Sequence, residues 1–225
     1  MKKITTEFDQ ILEEKYSKQP HKNQRHHVIY EIIKRLQPKT IVETGVYKGK
    51  NAASMIGNAS VATDSNGEGI QYWGYDMFED IDVDMSEKEF HTKGLRKPQP
   101  TYDNVQKLIS SACPKADINL IRGNTKDTLA YTKAEFAFID GGHSIETIKH
   151  DYEKLKDSSV IVFDDYYRQG DTGKMPDVKQ FGANFLLDEI DHFCVETRDG
   201  VFGEGKINLG IIVNENSLIS KIFRS

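Results

Sequence analysis

Five carboxylates stand where short apolar runs end. Glu43 follows Thr40, Ile41 and Val42; Asp76 follows residues 71–75; Asp140 follows residues 136–139; the pair Asp164 and Asp165 follows residues 160–163. If those runs are parallel strands, right-handed crossovers bring their carboxyl ends to one sheet edge, and the acids into one crevice. A single strand-end acid is an ordinary helix cap or turn residue. Five on one edge are harder to attribute to capping alone. Asp140, Asp164 and Asp165 would offer hard oxygen ligands from two neighbouring strands, a set that suits Mg²⁺ or Ca²⁺. Packed closely without a cation, they would repel until one of them kept its proton. His143 lies just beyond Asp140, where it could ligate an ion, act as a base near neutral pH, or partner a helix start. Asp76 sits where a carboxylate accepts hydrogen bonds from ribose hydroxyls. Asn124 and Thr125 close the following strand and could read an adenine edge, although both are common turn residues.

These groups need a frame, and the stretch from Lys39 to Ser54 supplies its centre. An apolar β-type run meets Glu43, then Gly45 and Gly49, then small residues that can start a helix. Such a strand-to-helix turn aims free backbone N–H groups at a ligand and lets it approach closely. Before it, Ile4, Phe8, Ile11, Leu12 and Tyr16 have helical spacing, as do Val28, Ile29, Ile32, Ile33 and Leu36. Together they predict an N-terminal helical cap over residues 1–37. The polar run at 21–27 reads as a solvated helix start, and the adjacent His26 and His27 do not share a helix face. Residues 58–70 read as a surface loop. Residues 77–101 show no long periodic pattern and contain Pro98 and Pro100, which predicts a lid or substrate loop just past a strand's carboxyl end.

Further along, residues 103–112, 145–155 and 178–190 read as helices and 118–121 as a strand. Residues 192–197 and 207–213 read as a closing hairpin that turns near Asp199 and Gly200. The expected fold is a single α/β domain over residues 1–225: a Rossmann-like, seven-stranded, mostly parallel sheet with helices on both faces and a C-terminal antiparallel strand. The net charge of −5 argues against a general nucleic-acid surface. No apolar run approaches the ~20 residues of a membrane span, and the charged N-terminus lacks a signal-peptide core. Cys113 and Cys194 have no metal-ligand spacing and read as reduced thiols. A cytoplasmic location is the expectation.

Four short runs occur in order: VETGVYKG (42–49), DMFE (76–79), IDGGH (139–143) and FDDY (163–166). Together, over about residues 39–190, they resemble class I S-adenosylmethionine-dependent methyltransferases. Within that class the chain is most similar to the metal-dependent sugar O-methyltransferases of macrolide and aminocoumarin biosynthesis. The resemblance implies that Glu43, Thr44, Gly45, Tyr47 and Gly49 hold the methionine part of the cofactor and that Asp76, with Met77, binds ribose. Asn124, Thr125 and Asp140 complete the cofactor set. It implies Mg²⁺, or another divalent cation, on Asp140, Asp164 and Asp165, with Asp140 at the position of the base; His143, from its own chemistry, is the second catalytic candidate. The implied acceptor is a hydroxylated small molecule, a sugar or glycoside, with no nucleic-acid or membrane partner; homo-oligomerisation is left open. One departure stands out: Asp-Gly-Gly-His replaces the bulkier segment that follows Asp-Gly in the sugar enzymes. Two rival readings use the same sheet. One is a nucleotide-dependent oxidoreductase, against which Tyr47 weighs by crowding the phosphate approach. The other is a non-catalytic cofactor-binding module.

Overall fold

The computed structural model describes residues 2–3, 24–90, 98–130, 132–167, 182–197, 199–201 and 205–223. The short β-branched and aromatic runs form strands β1 (Thr40–Thr44), β2 (Gln71–Asp76), β3 (Asp117–Arg122), β4 (Phe136–Ile139), β5 (Val160–Tyr166), β6 (Phe193–Val195) and β7 (Asn208–Val213). Their order across the sheet is β6-β7-β5-β4-β1-β2-β3, and the two-residue strand Lys2–Lys3 pairs alongside β6. All pairs from β5 through β3 are parallel, while β7 runs antiparallel to both of its neighbours. This is the expected seven-stranded architecture, with one short strand added at the edge. The connection from β6 to β7 carries its own small ladder, Gly200–Val201 with Gly205–Lys206, in place of a tight turn.

Helices cover both faces because their apolar stripes must be buried. On one face α1 (Gln24–Leu36), α2 (Lys50–Ala59), α4 (Tyr102–Ala112) and α8 (Asn216–Phe223) pack Ile29, Ile33, Met55, Ile109 and Phe223 into one core. On the other, α6 (Ile145–Leu155) and α7 (Gly182–Leu187) bring Ile148, Leu155 and Leu186 against Ile139 and Phe163. Full burial of each such side chain contributes about 1.5–3 kcal/mol. A four-residue helix, α5 (Thr125–Thr128), follows β3.

Register decides which acids reach the sheet edge. Thr44 pairs with Tyr75 and with Ile139, and Ile139 pairs with Phe163. Gly45, Asp76, Asp140 and Asp164 are therefore each one step past a common rung. Glu43 pairs with Gly74 and Phe138, below that edge.

One expectation changes. Residues 77–101 contain a 3₁₀ turn (Phe78–Asp80) and the helix α3 (Val83–Phe90). The inward positions of α3 include Ser86 and Glu89, both buried, while Val83 is exposed, so no apolar stripe announces the helix. Residues 91–97 of that stretch lie outside the described residues, as does the helix expected at 4–17. Of the helix expected over 178–190, the described part is α7. Among the described residues no helix is long and apolar enough to cross a membrane. Both cysteines are buried free thiols.

Candidate active site

Asp76 is held by the turns on either side of it. Its Oδ2 accepts the backbone N–H of Tyr47 at 2.7 Å, and its Oδ1 accepts that of Phe78 at 2.7 Å. Both donors sit in the left-handed region, Tyr47 at φ 48° and Phe78 at φ 51°. That conformation costs an L-residue roughly 1–2 kcal/mol. The strain is spent aiming two amides at one carboxylate. Gly45 (φ 88°) is required for a second reason: a Cβ there would strike the backbone carbonyl of Asp140. Strands β1 and β4 can thus approach closely where the strand order switches direction, the usual ligand crevice of an open α/β sheet.

At the ends of β4 and β5 a second group assembles. One ligand atom from each of Asp140, His143 and Asp165 lies within 4.8 Å of the others. His143 Nε2 is 3.0 Å from Asp165 Oδ2, and the Tyr167 hydroxyl donates to Asp165 Oδ1 at 3.2 Å. Asp165 is also left-handed, at φ 52°. Asp164 is engaged elsewhere: its Oδ2 lies 2.8 Å from Arg25 Nε, and its side chain is fully buried. Of the expected metal set, then, Asp140 and Asp165 come together with His143, while Asp164 faces a guanidinium.

Electrostatics separate the three acids. Burial, followed by the charges of Asp164 and Asp165, pushes the Asp140 carboxyl well above its ordinary range. Burial and then Asp165 raise Asp164 to about 6 against the pull of Arg25. Burial also works on Asp165, but His143, Arg25 and the Tyr167 hydroxyl outweigh it and hold that carboxyl below its usual range. The cluster therefore has one firmly ionised member and one that resists ionisation in the absence of a further cation.

A cleft of about 350 Å³ joins the two groups. Gly45, Tyr47, Asp76 and Met77 line it from the ends of β1 and β2, Asn124 and Thr125 from the end of β3, and Asp140, His143 and Asp165 from β4 and β5. Asn124 Oδ1 also caps α5 by accepting the Lys126 N–H at 3.0 Å. Glu43, Thr44 and Gly49 do not line the cleft. Glu43 is 1% exposed, beneath it, with the Tyr72 hydroxyl and Asn51 Nδ2 donating to its carboxylate.

Arg25 and His26 line the same cleft, so residues 24–27 are not a merely solvated helix start; the rest of that run, 21–23, lies outside the described residues. Asp199 explains the placement of Arg25 and His26. It accepts the N–H of Gln24 at 2.7 Å and of Arg25 at 2.9 Å, capping α1 from the far part of the chain. Burial, with help from Arg25, lowers the His26 pKa to about 4 and keeps that imidazole neutral. Ile81, Met85 and Glu89 reach the cleft from the segment around α3.

A family profile described as "Methyltransferase domain" matches residues 42–166. Several solved structures share the fold. Cofactor-bound Rv0187 from MTB is 18% identical over 88% of this chain and 84% of its own, with a TM-score of 0.56. The O-methyltransferase from Bacillus cereus in complex with SAH is 13% identical over 92% and 90%, with a TM-score of 0.56. The O-methyltransferase TomG from Streptomyces achromogenes, in complex with SAM, is 11% identical over 92% and 89%, with a TM-score of 0.52. At such identities the likeness speaks for the fold. No curated protein sequence matches this chain.

Proposed function

The chain belongs to the methyltransferase-domain family, and on that premise we propose that it is an S-adenosylmethionine-dependent O-methyltransferase for a hydroxylated small molecule of the sugar or glycoside class, assisted by a divalent cation. The observation that carries this reading is one cleft bearing the glycine turn and Asp76 towards β2, and the Asp140, His143 and Asp165 group towards β5. Asp76 fits a ribose diol: it lines the cleft, and backbone amides on either side fix its two oxygens in place. Asp140, His143 and Asp165 fit a divalent ion, and the imidazole shifts the preference from Mg²⁺ towards ions such as Mn²⁺, Fe²⁺ or Zn²⁺. When bound, the cofactor's sulfonium supplies an electrophilic methyl, and the ion would acidify the hydroxyl that receives it.

The chain's own residues do the rest. Asp76 and the turn fix the position of the cofactor, and Asp140 and His143 stand where the acceptor's proton must go. The sheet edge and the α3 segment exclude water, so that nucleophile and methyl meet in line. The pair formed by His143 and Asp165 favours a second reading, in which the oriented imidazole takes the proton with no ion present.

Calorimetry with S-adenosylhomocysteine tests the first step. Wild type is expected to bind it, and Asp76→Ala to bind at least about tenfold more weakly, since hydrogen bonds to a charged group are worth roughly 1.5–3 kcal/mol. Absence of binding by wild type would end the proposal. Methyl transfer across a panel of sugars, run with chelator and then with added Mn²⁺ or Mg²⁺, separates the two forms of the reaction. Loss and recovery of activity supports the ion. Activity that survives chelation but not His143→Ala supports the imidazole.

A further inference from the structure

We infer that Glu89 is a positioning residue: it anchors α3 into the start of α6 and thereby sets the loop that carries His143. Glu89 is charged yet only 5% exposed. Burying a carboxylate is costly unless its oxygens are hydrogen-bonded. Here they are. Oε2 accepts the Ser144 N–H at 3.0 Å, and Oε1 accepts the Ser144 hydroxyl at 3.0 Å and the Thr147 hydroxyl at 2.9 Å. The backbone carbonyl of Glu89 accepts the His143 N–H at 3.2 Å. All four donors belong to residues 143–147, and Ser144 is the N-cap of α6, where the helix dipole adds to the attraction.

Gly142 leaves the space that this contact occupies. A Cβ at Gly142 would collide with the Glu89 carboxylate, whereas one at Gly141 would meet nothing nearer than 3.5 Å. The second glycine of Asp-Gly-Gly-His therefore makes room for Glu89. His143 is consequently fixed from two sides: Asp165 holds its ring, and the α3 segment holds its backbone. The same segment lines the cleft through Ile81, Met85 and Glu89, so the wall beside the acid cluster and the group that would handle the proton move as one unit. The inference rests on the proposed function only for the role given to His143.

Amide hydrogen exchange followed by NMR, without any ligand, tests the anchoring. Glu89→Ala is expected to speed exchange at His143 and Ser144 by at least about tenfold while leaving the middle of α6 unchanged, the signature of a local opening. Glu89→Gln should restore part of the protection at Ser144, because its amide oxygen can still accept that N–H. A double-mutant cycle supplies a second measurement. Gly142→Ala should lower the melting temperature of wild type, and that drop should shrink by at least about half in the Glu89→Ala background. Should Glu89→Ala fail to fold, Glu89→Ser, which likewise removes the carboxylate beside Gly142, carries both comparisons. Unchanged exchange at His143 and Ser144, equal acceleration throughout α6, or strictly additive melting shifts would each overturn the inference. A wild-type chain that fails to bind S-adenosylhomocysteine would sink the proposed function and leave this test standing.

Discussion

Glu43 shows how a residue can serve the site without reaching it. The Tyr30 hydroxyl donates to Asn51, Asn51 donates to Glu43, and Tyr72 donates to the other Glu43 oxygen, so a buried polar chain ties α1, α2, β1 and β2 together under the glycine turn. Burial pushes the Glu43 carboxyl up to about 7, from an ordinary 4.5, against the hydrogen bonds of Tyr72 and Asn51. The folded state thus keeps a proton that the unfolded chain releases earlier. This contribution to stability is complete below pH 4.5 and is lost as the pH rises to about 7. Glu43→Gln should flatten that slope, narrowing the wild-type loss between acid and neutral pH by up to roughly 3 kcal/mol. Urea unfolding of both proteins at pH 5 and pH 8 measures it; parallel curves would refute it. The end of the apolar run at Val42 placed Glu43 at a strand end, whereas the ladder runs on through Thr44 and leaves Glu43 below the edge. Register across three strands fixed that offset, and no single run of sequence contains it.

Helix α1 depends on a distant acid for its start. Its first turn holds no acidic residue, and Asp199 accepts two of its leading amides. Loss of such a cap costs about 1–2 kcal/mol. Asp199→Ala should therefore lower stability by about that amount and loosen Arg25 from Asp164, with faster exchange at the Gln24 and Arg25 amides as the direct readout. Asp199→Asn, which keeps the acceptor oxygen, should recover part of the loss. The apolar stripe of α1 made the helix legible, but not the use of its first turn, because the capping partner comes from the far part of the chain. The α3 helix was hidden for the opposite reason: its inward contacts are polar, through Ser86 and Glu89, and period-based reading looks for apolar ones. Both α6 and β4 were legible to their end residues, since an amphipathic run and a fully buried apolar quartet each declare themselves locally.

Across the whole molecule, the sheet and the gathering of acids at its edge could be read from alternating runs and strand-end residues. What could not be read were the contacts that complete the site: Arg25 on Asp164, Asp199 on α1, and Glu89 on α6. Each joins segments far apart in the chain, and each is polar, so neither periodicity nor local turn chemistry registers it. The order of strands has a consequence for biosynthesis. The strand beside β5 is β7, the last of the seven to be made, and its register runs from Asn208 opposite Tyr166 to Val213 opposite Val160. A nascent chain that has emerged only as far as β6 must carry β5, with its unsealed row of amides and carbonyls, past every other protein in its surroundings. Such an open border recruits foreign strands. For this protein that border stays open until late in translation, and the arrival of residues 208–213 closes it.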